Sequence, residues 1–162
     1  MRLMRNCTLL ITMFGICCVA IAQATPQPTI SIESKNPNVE SGQAIHVHLV
    51  FKNTTNREFT VFRSVGGGRG EQYYLVSVTG PDGNPAALTQ YGAAVKKNLG
   101  VVSGSTIMKH LEPGDDVDEY VTISRMFDMT PVGTYVVQAS RASPLDPAVI
   151  LKSNSITISV GN

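Results

Sequence analysis

The chain has 162 residues, with 13 basic and 12 acidic side chains, 43% hydrophobic residues and no tryptophan. A near-neutral balance without a basic stripe leaves no electrostatic footprint for nucleic acid, so that class of partner is excluded. Without tryptophan, sugar stacking would have to rest on tyrosine.

Arg2 and Arg5 precede the run 7–22, which carries no charge and is apolar apart from Thr8 and Thr12. The run ends in Ala20-Ile21-Ala22 and Ala22-Gln23-Ala24, two small-x-small triplets of the kind a signal peptidase cuts. The expectation is a signal peptide over 1–24, cut after Ala24, with Ala22 as the second choice. A transmembrane anchor fits less well, because the run is shorter than the ~20 residues a bilayer requires. A lipid anchor on Cys17 or Cys18 would need a small residue just before the cysteine, and Ile16 and Cys17 stand there. Residues 25–162 are then one domain, secreted or periplasmic, with no membrane span after cleavage. Cys7, Cys17 and Cys18 all lie in the signal, so this domain has no disulfide and rests on its hydrophobic core.

In chain order, 29–33 alternates as a short strand, and Lys35-Asn36-Pro37-Asn38 breaks it. After a turn at 40–43 comes the clearest strand. Ile45, Val47, Leu49 and Phe51 share its inner face, and His46, His48, Val50 and Lys52 share the outer one. A third strand, 58–63, has Phe59 and Val61 on one side and Thr60 and Phe62 on the other. The glycine-rich segment 66–70 interrupts, then 73–79 aligns Tyr74, Val76 and Val78. Gly80-Pro81-Asp82-Gly83 is a turn.

The stretch 84–104 reads as a long loop with one short strand near Val101-Val102. Residues 106–111 lead into Glu112-Pro113-Gly114-Asp115, a second turn. Val117, Glu119, Val121 and Ile123 then alternate with Asp118, Tyr120 and Thr122. A helical turn is expected over 124–129, a strand running to Ala139 after Pro131-Val132-Gly133-Thr134-Tyr135, and a last strand with Ile156, Ile158 and Val160 inward. No helical period long enough for a core helix is visible. About seven to eight short strands with turn signals between them predict an all-β, antiparallel sandwich.

The steps Leu111-Glu112-Pro113-Gly114 and Pro131-Val132-Gly133-Thr134-Tyr135, each followed or preceded by an alternating strand, resemble bacterial immunoglobulin-like domains. That resemblance implies a tyrosine-corner role for Tyr135, whose hydroxyl would bond to upstream backbone. Val137 stands where antibody domains place a cysteine, so the chain is not of the antibody type. The layout 47–135 also resembles the BsuPI-type proteinase-inhibitor domain. The shared features are a strand ending in asparagine, a Gly-Pro-Asp-Gly hairpin, a Leu-x-Pro-Gly turn and a Pro-x-Gly-x-Tyr step. These are structural motifs, with Gly133, Pro113 and Gly114 as turn residues, and they carry fold better than function.

His46-x-His48 is the sharpest chemical feature, since positions two apart on a strand point to one side and both imidazoles can reach one metal ion. Met108-x-His110 offers the same spacing, and Met126 and Met129 add thioethers. An exported sandwich with clustered His and Met would resemble periplasmic copper carriers. The competing reading makes His46 and His48 polar residues on a wet face, and nothing in the sequence places His110 beside them. Glu112, Asp115, Asp116, Asp118 and Glu119 lack the order of a calcium loop and read as a solvated strand edge.

The segment 66–70 lacks the Gly-Lys-Ser/Thr ending of a phosphate loop. It reads as a loop that contacts a partner, with Arg69, Tyr73 and Tyr74 as the recognition patch, or else as a linker with Tyr74 in the core. No serine elbow or His-Glu-x-x-His motif occurs, and no cofactor is expected. Asn53-Thr54-Thr55 is a glycosylation sequon, relevant only in a eukaryotic secretory path. The function expected is therefore a non-catalytic, exported module that binds another exported or envelope protein or stands in an envelope assembly. A proteinase inhibitor, presenting 66–71 or 91–104, and a metal carrier are the alternatives.

Overall fold

The computed structural model describes residues 26–65, 69–101 and 106–162. The signal expected over 1–24, its three cysteines, the glycines 66–68 and Val102 lie outside the described residues.

Among the described residues the chain is mostly strand. In order come β1 (Thr29–Glu33), β2 (Asn38–Glu40), β3 (His46–Lys52), β4 (Phe59–Ser64) and β5 (Leu75–Thr79). After these come α1 (Gln90–Lys97), β6 (Thr106–Leu111), β7 (Asp116–Thr122), α2 (Ile123–Met126), β8 (Gly133–Ala142) and β9 (Ile150–Gly161). A 3-10 turn at Gly70–Gln72 precedes β5. Three sheets result, with orders β1-β3-β7, β2-β9-β8-β5 and β4-β6. Pairings are antiparallel except for the three-residue contact of β2 with β9, which is parallel.

Alternation decides what each strand buries. Val47, Leu49 and Phe51 of the central strand β3 are wholly buried, as are Leu111, Val137 and Ile158. Fully burying a side chain of this size contributes about 1.5–3 kcal/mol. The buried faces of all three sheets feed one apolar cluster. Met126 and Met129 belong to it, at 4% and 3% exposure, so their thioethers are core material and not ligands.

Two polar side chains stitch sheets and irregularities together. The Asn154 amide donates to Ile32 O and accepts from Ile32 N, at 2.9 and 3.0 Å, which joins β9 to β1. The register of β8 on β9 shifts between Gln138 and Ser140, and Ser153 Oγ accepts from the Ala139 N–H at the shift.

One end of the molecule is a closed polar clasp. Asn53 is completely buried; its Nδ2 donates to Arg57 O and Leu111 O, and its Oδ1 accepts from Thr55 N and Thr55 Oγ1. Its backbone accepts from Gly114 N and donates to Asp115 O. In the folded chain the sequon asparagine therefore presents no free amide at the surface. Gly114 has φ +94° in the Glu112–Asp115 turn, a conformation that Pro113-Gly114 favours. Tyr135, 1% exposed, donates from Oη to Pro131 O at 2.8 Å, four residues upstream.

The segment 84–104 departs from the loop expected. The helix α1 occupies its middle, and Val101 lies in no strand. The helix is short, and among its residues only Gly92 is buried, so it leaves almost no periodic signature. The strand β2 also escaped prediction, being three residues long beside Pro37.

Candidate docking surface

The sequence-derived candidates scatter. His46 and His48 share the outer face of β3. His48 stacks on Tyr120 at 4.6 Å and lies 3.0 Å from Glu33 and 3.6 Å from Asp118. His46 meets Thr122 Oγ1 at 3.0 Å. His110 stands on β6 in another sheet, 3.3 Å from Glu58, and Met108 is 71% exposed opposite Phe62. Among the described residues no three His, Cys, Asp or Glu side chains are grouped to hold a metal ion.

The acidic run splits. Asp116 is exposed on β7, an edge strand of its sheet, whereas Glu119 points inward at 1% exposure. Its carboxylate accepts from Ser64 N at 3.0 Å and Ser64 Oγ at 2.9 Å, and Arg63 Nε lies 3.9 Å away. Burial pushes its pKa up, against the opposing pull of the Ser64 hydrogen bonds and Arg63. Ser64 Oγ in turn accepts from Arg69 N at 3.0 Å. Glu119 thus anchors the start of the 3-10 turn from the neighbouring sheet. The reading of Glu119 as part of a solvated strand edge is therefore corrected: it stands in phase with Val117, Val121 and Ile123, and an acid in that phase was the unused signal for a buried anchor.

The recognition patch read from the sequence needs correction. Tyr74 is 1% and Tyr73 8% exposed, so neither presents a free aromatic face. Tyr74 is inward by strand alternation. Tyr73 leaves the 3-10 turn rather than the strand, and its Oη is 2.6 Å from Thr106 Oγ1. Only Arg69 of the three is exposed.

Two concavities flank this turn. The first is a cleft of about 290 Å³ walled by Arg69, Gln72, Tyr91, Val95, Asn98 and Arg125. Its geometry starts at Thr89, which caps α1 by accepting from Gly92 N and donates its hydroxyl to Arg125 O, while its N–H bonds Met126 O. Gly92 lies against the Met126 carbonyl, where a Cβ has no room, so α1 and α2 touch backbone to backbone. This places Arg125 over the Tyr91 ring, 4.4 Å from its centre. Tyr91 Oη donates to the buried Glu71 at 2.6 Å. Burial and that hydrogen bond hold the phenol above its ordinary range, while Arg125 and Arg69 act in the opposite direction.

The second is a groove of about 490 Å³ with Phe62, Tyr73, Leu75, Leu99 and Ile150 on its walls. Phe62, Leu75, Leu99 and Ile150 are 39–56% exposed. Arg141 also lines it, its guanidinium 4.7 Å from the Phe51 ring centre and 5.1 Å from that of Tyr74. The cleft and groove share segments. Gln72 faces the cleft and Tyr73 the groove; Asn98 faces the cleft and Leu99 the groove. A hydrogen bond from Gly100 N to Gln72 O, 2.8 Å, ties these segments together.

No protein-family model matches the chain, and no curated protein matches it in sequence. Two solved structures of a β-glucosidase from Listeria innocua, one with glucose, are similar to it at 12% and 11% identity. They align with 84% and 83% of this chain at TM-scores of 0.43 and 0.40, and the chain spans 16% of that enzyme. The structure of BslA, a bacterial hydrophobin, is similar at 13% identity and a TM-score of 0.38, over 86% of this chain and 99% of that one. Likenesses at this level carry no argument about activity.

Proposed function

We propose that residues 25–162 form an exported, non-catalytic immunoglobulin-like sandwich that docks another exported or envelope protein. Tyr135, bonded to Pro131 O in the manner of a tyrosine corner, supports the immunoglobulin-like reading. The observation that carries the docking role is the groove. Phe62, Leu75, Leu99 and Ile150 come from four distant parts of the chain and converge, half-exposed, around Tyr73. A contiguous apolar surface rimmed by polar groups marks an interaction site, whereas single exposed apolar residues do not.

The inhibitor alternative has less behind it. One of its two loops, 91–104, is helical from its start to Lys97, and an extended loop is what a protease cleft takes. In the other, Glu71 is 5% exposed.

A photo-crosslinking residue at Leu75, expressed in the envelope of the native host, tests the docking role. The expected result is a discrete adduct with one polypeptide, absent when the same residue replaces Val132, which is exposed outside the groove. Identical adducts at both positions, or none at Leu75, would refute it.

A further inference from the structure

Charge at the same surface narrows what the partner must look like; this step rests on the docking reading above. Ion pairs among the described residues involve His48, Arg63 and His110. Arg69, Arg125 and Arg141 take part in none, yet all three line the two adjoining concavities. Glu71, in the 3-10 turn beside the cleft, is buried and engaged by the Tyr91 hydroxyl. It does not present a carboxylate to solvent there. The cleft therefore offers two guanidinium forks, with Gln72 and Asn98 on its wall.

We infer that the occupant is a polypeptide segment in which acidic side chains stand beside apolar ones. The apolar side chains enter the groove between Leu75, Leu99 and Ile150, and a carboxylate reaches Arg69 and Arg125 in the cleft. Arginine forks bind carboxylates bidentately, which fixes register as well as strength. The shared segments make the two sites one continuous footprint. Neighbouring residues of this chain, Gln72 and Tyr73, face one concavity each, so neighbouring residues of an extended partner can do the same. The opposed charges also raise the association rate at low salt.

The test is selection of a random-peptide display library on the immobilised protein from Thr25 onward, with counter-selection on an Arg69→Glu/Arg125→Glu variant. Enriched sequences that pair Asp or Glu with Leu, Ile or Phe are expected. Their synthetic versions should lose affinity roughly tenfold or more on the variant and on raising salt. Arg69→Gln/Arg125→Gln, with its folding checked by circular dichroism, serves in case charge reversal perturbs the fold. Enrichment of neutral or basic sequences, no enrichment, or equal affinity for the variants would overturn the inference. Arginine-dependent binding to phosphatidylglycerol vesicles without binding to acidic peptides would assign the cleft to lipid instead and overturn it too. The Leu75 adduct separates the two levels. If it survives in the Arg69→Glu/Arg125→Glu variant, the docking role stands and the acidic partner falls; if it never forms, both fall.

Discussion

The clasp around Asn53 and the surface around Arg69 belong to the same chain and differ in how much they leave over. At the clasp, both polar atoms of the Asn53 side chain have partners, and so do its backbone N–H and carbonyl. At the surface, three guanidiniums have no ion pair among the described residues and four apolar side chains stand half-exposed. Satisfied polar groups specify a conformation. Leftover ones, grouped with apolar area, specify a complement. The difference separates residues that hold the fold from residues that await something outside it.

The sharpest break in that comparison is Asn53→Ala. It removes the acceptor of Thr55 N and the side-chain donor to Leu111 O, while Arg57 O and Thr55 Oγ1 keep each other, and each orphaned buried group costs about 1–3 kcal/mol. Urea unfolding should register a loss of roughly 3–5 kcal/mol, near the upper end for single substitutions. A loss under about 1 kcal/mol would mean the clasp is ornamental.

Glu119→Ala comes next, at about 2–3 kcal/mol, because Ser64 N and Oγ lose their acceptor. Glu119→Gln keeps an acceptor oxygen and should cost less. The two also differ in pH dependence. Burial raises the Glu119 pKa above 4.5, so the folded state holds this proton more tightly than the unfolded chain does. Its contribution is most favourable below 4.5 and is lost as pH rises through the raised value. The stability difference between wild type and Glu119→Gln should therefore shift against the wild type as pH rises through that window. A difference that stays flat across acidic pH would contradict the buried-carboxylate account.

Tyr135→Phe should cost about 1 kcal/mol, the net worth of one hydrogen bond, read from the denaturation midpoint at unchanged slope. Smallest of all in stability is Leu75→Asp, expected within about 0.5 kcal/mol of wild type. Its side chain is 44% exposed, and its effect belongs to binding. Marked destabilisation by Leu75→Asp would turn the groove into a fragment of core and erase the comparison.

Period-two alternation carried most of the fold. The bounds of β1 were readable to the residue, and the inward apolar faces of β3, β4 and β7 follow the pattern, whereas Glu119, in phase with that face, was read as a solvated edge. What alternation cannot reach is any segment outside a strand. Tyr73 enters the core from a 3-10 turn, and α1 has one buried residue in eight. The docking surface was the least legible part. Arg69 was visible as a loop cation, but the groove needs Phe62, Leu75, Leu99 and Ile150 brought together by pairings of β4 with β6 and of β5 and β9 with β8. No local pattern encodes that convergence.

The most direct test of the central claim is the native mass of the protein purified gently from its own host's envelope, as wild type and as Leu75→Asp. The account predicts a wild-type mass above that of the chain from Thr25 by one further polypeptide, and the bare chain alone for Leu75→Asp. A wild type that runs as the bare chain, or a Leu75→Asp protein that keeps the same partner, would contradict it.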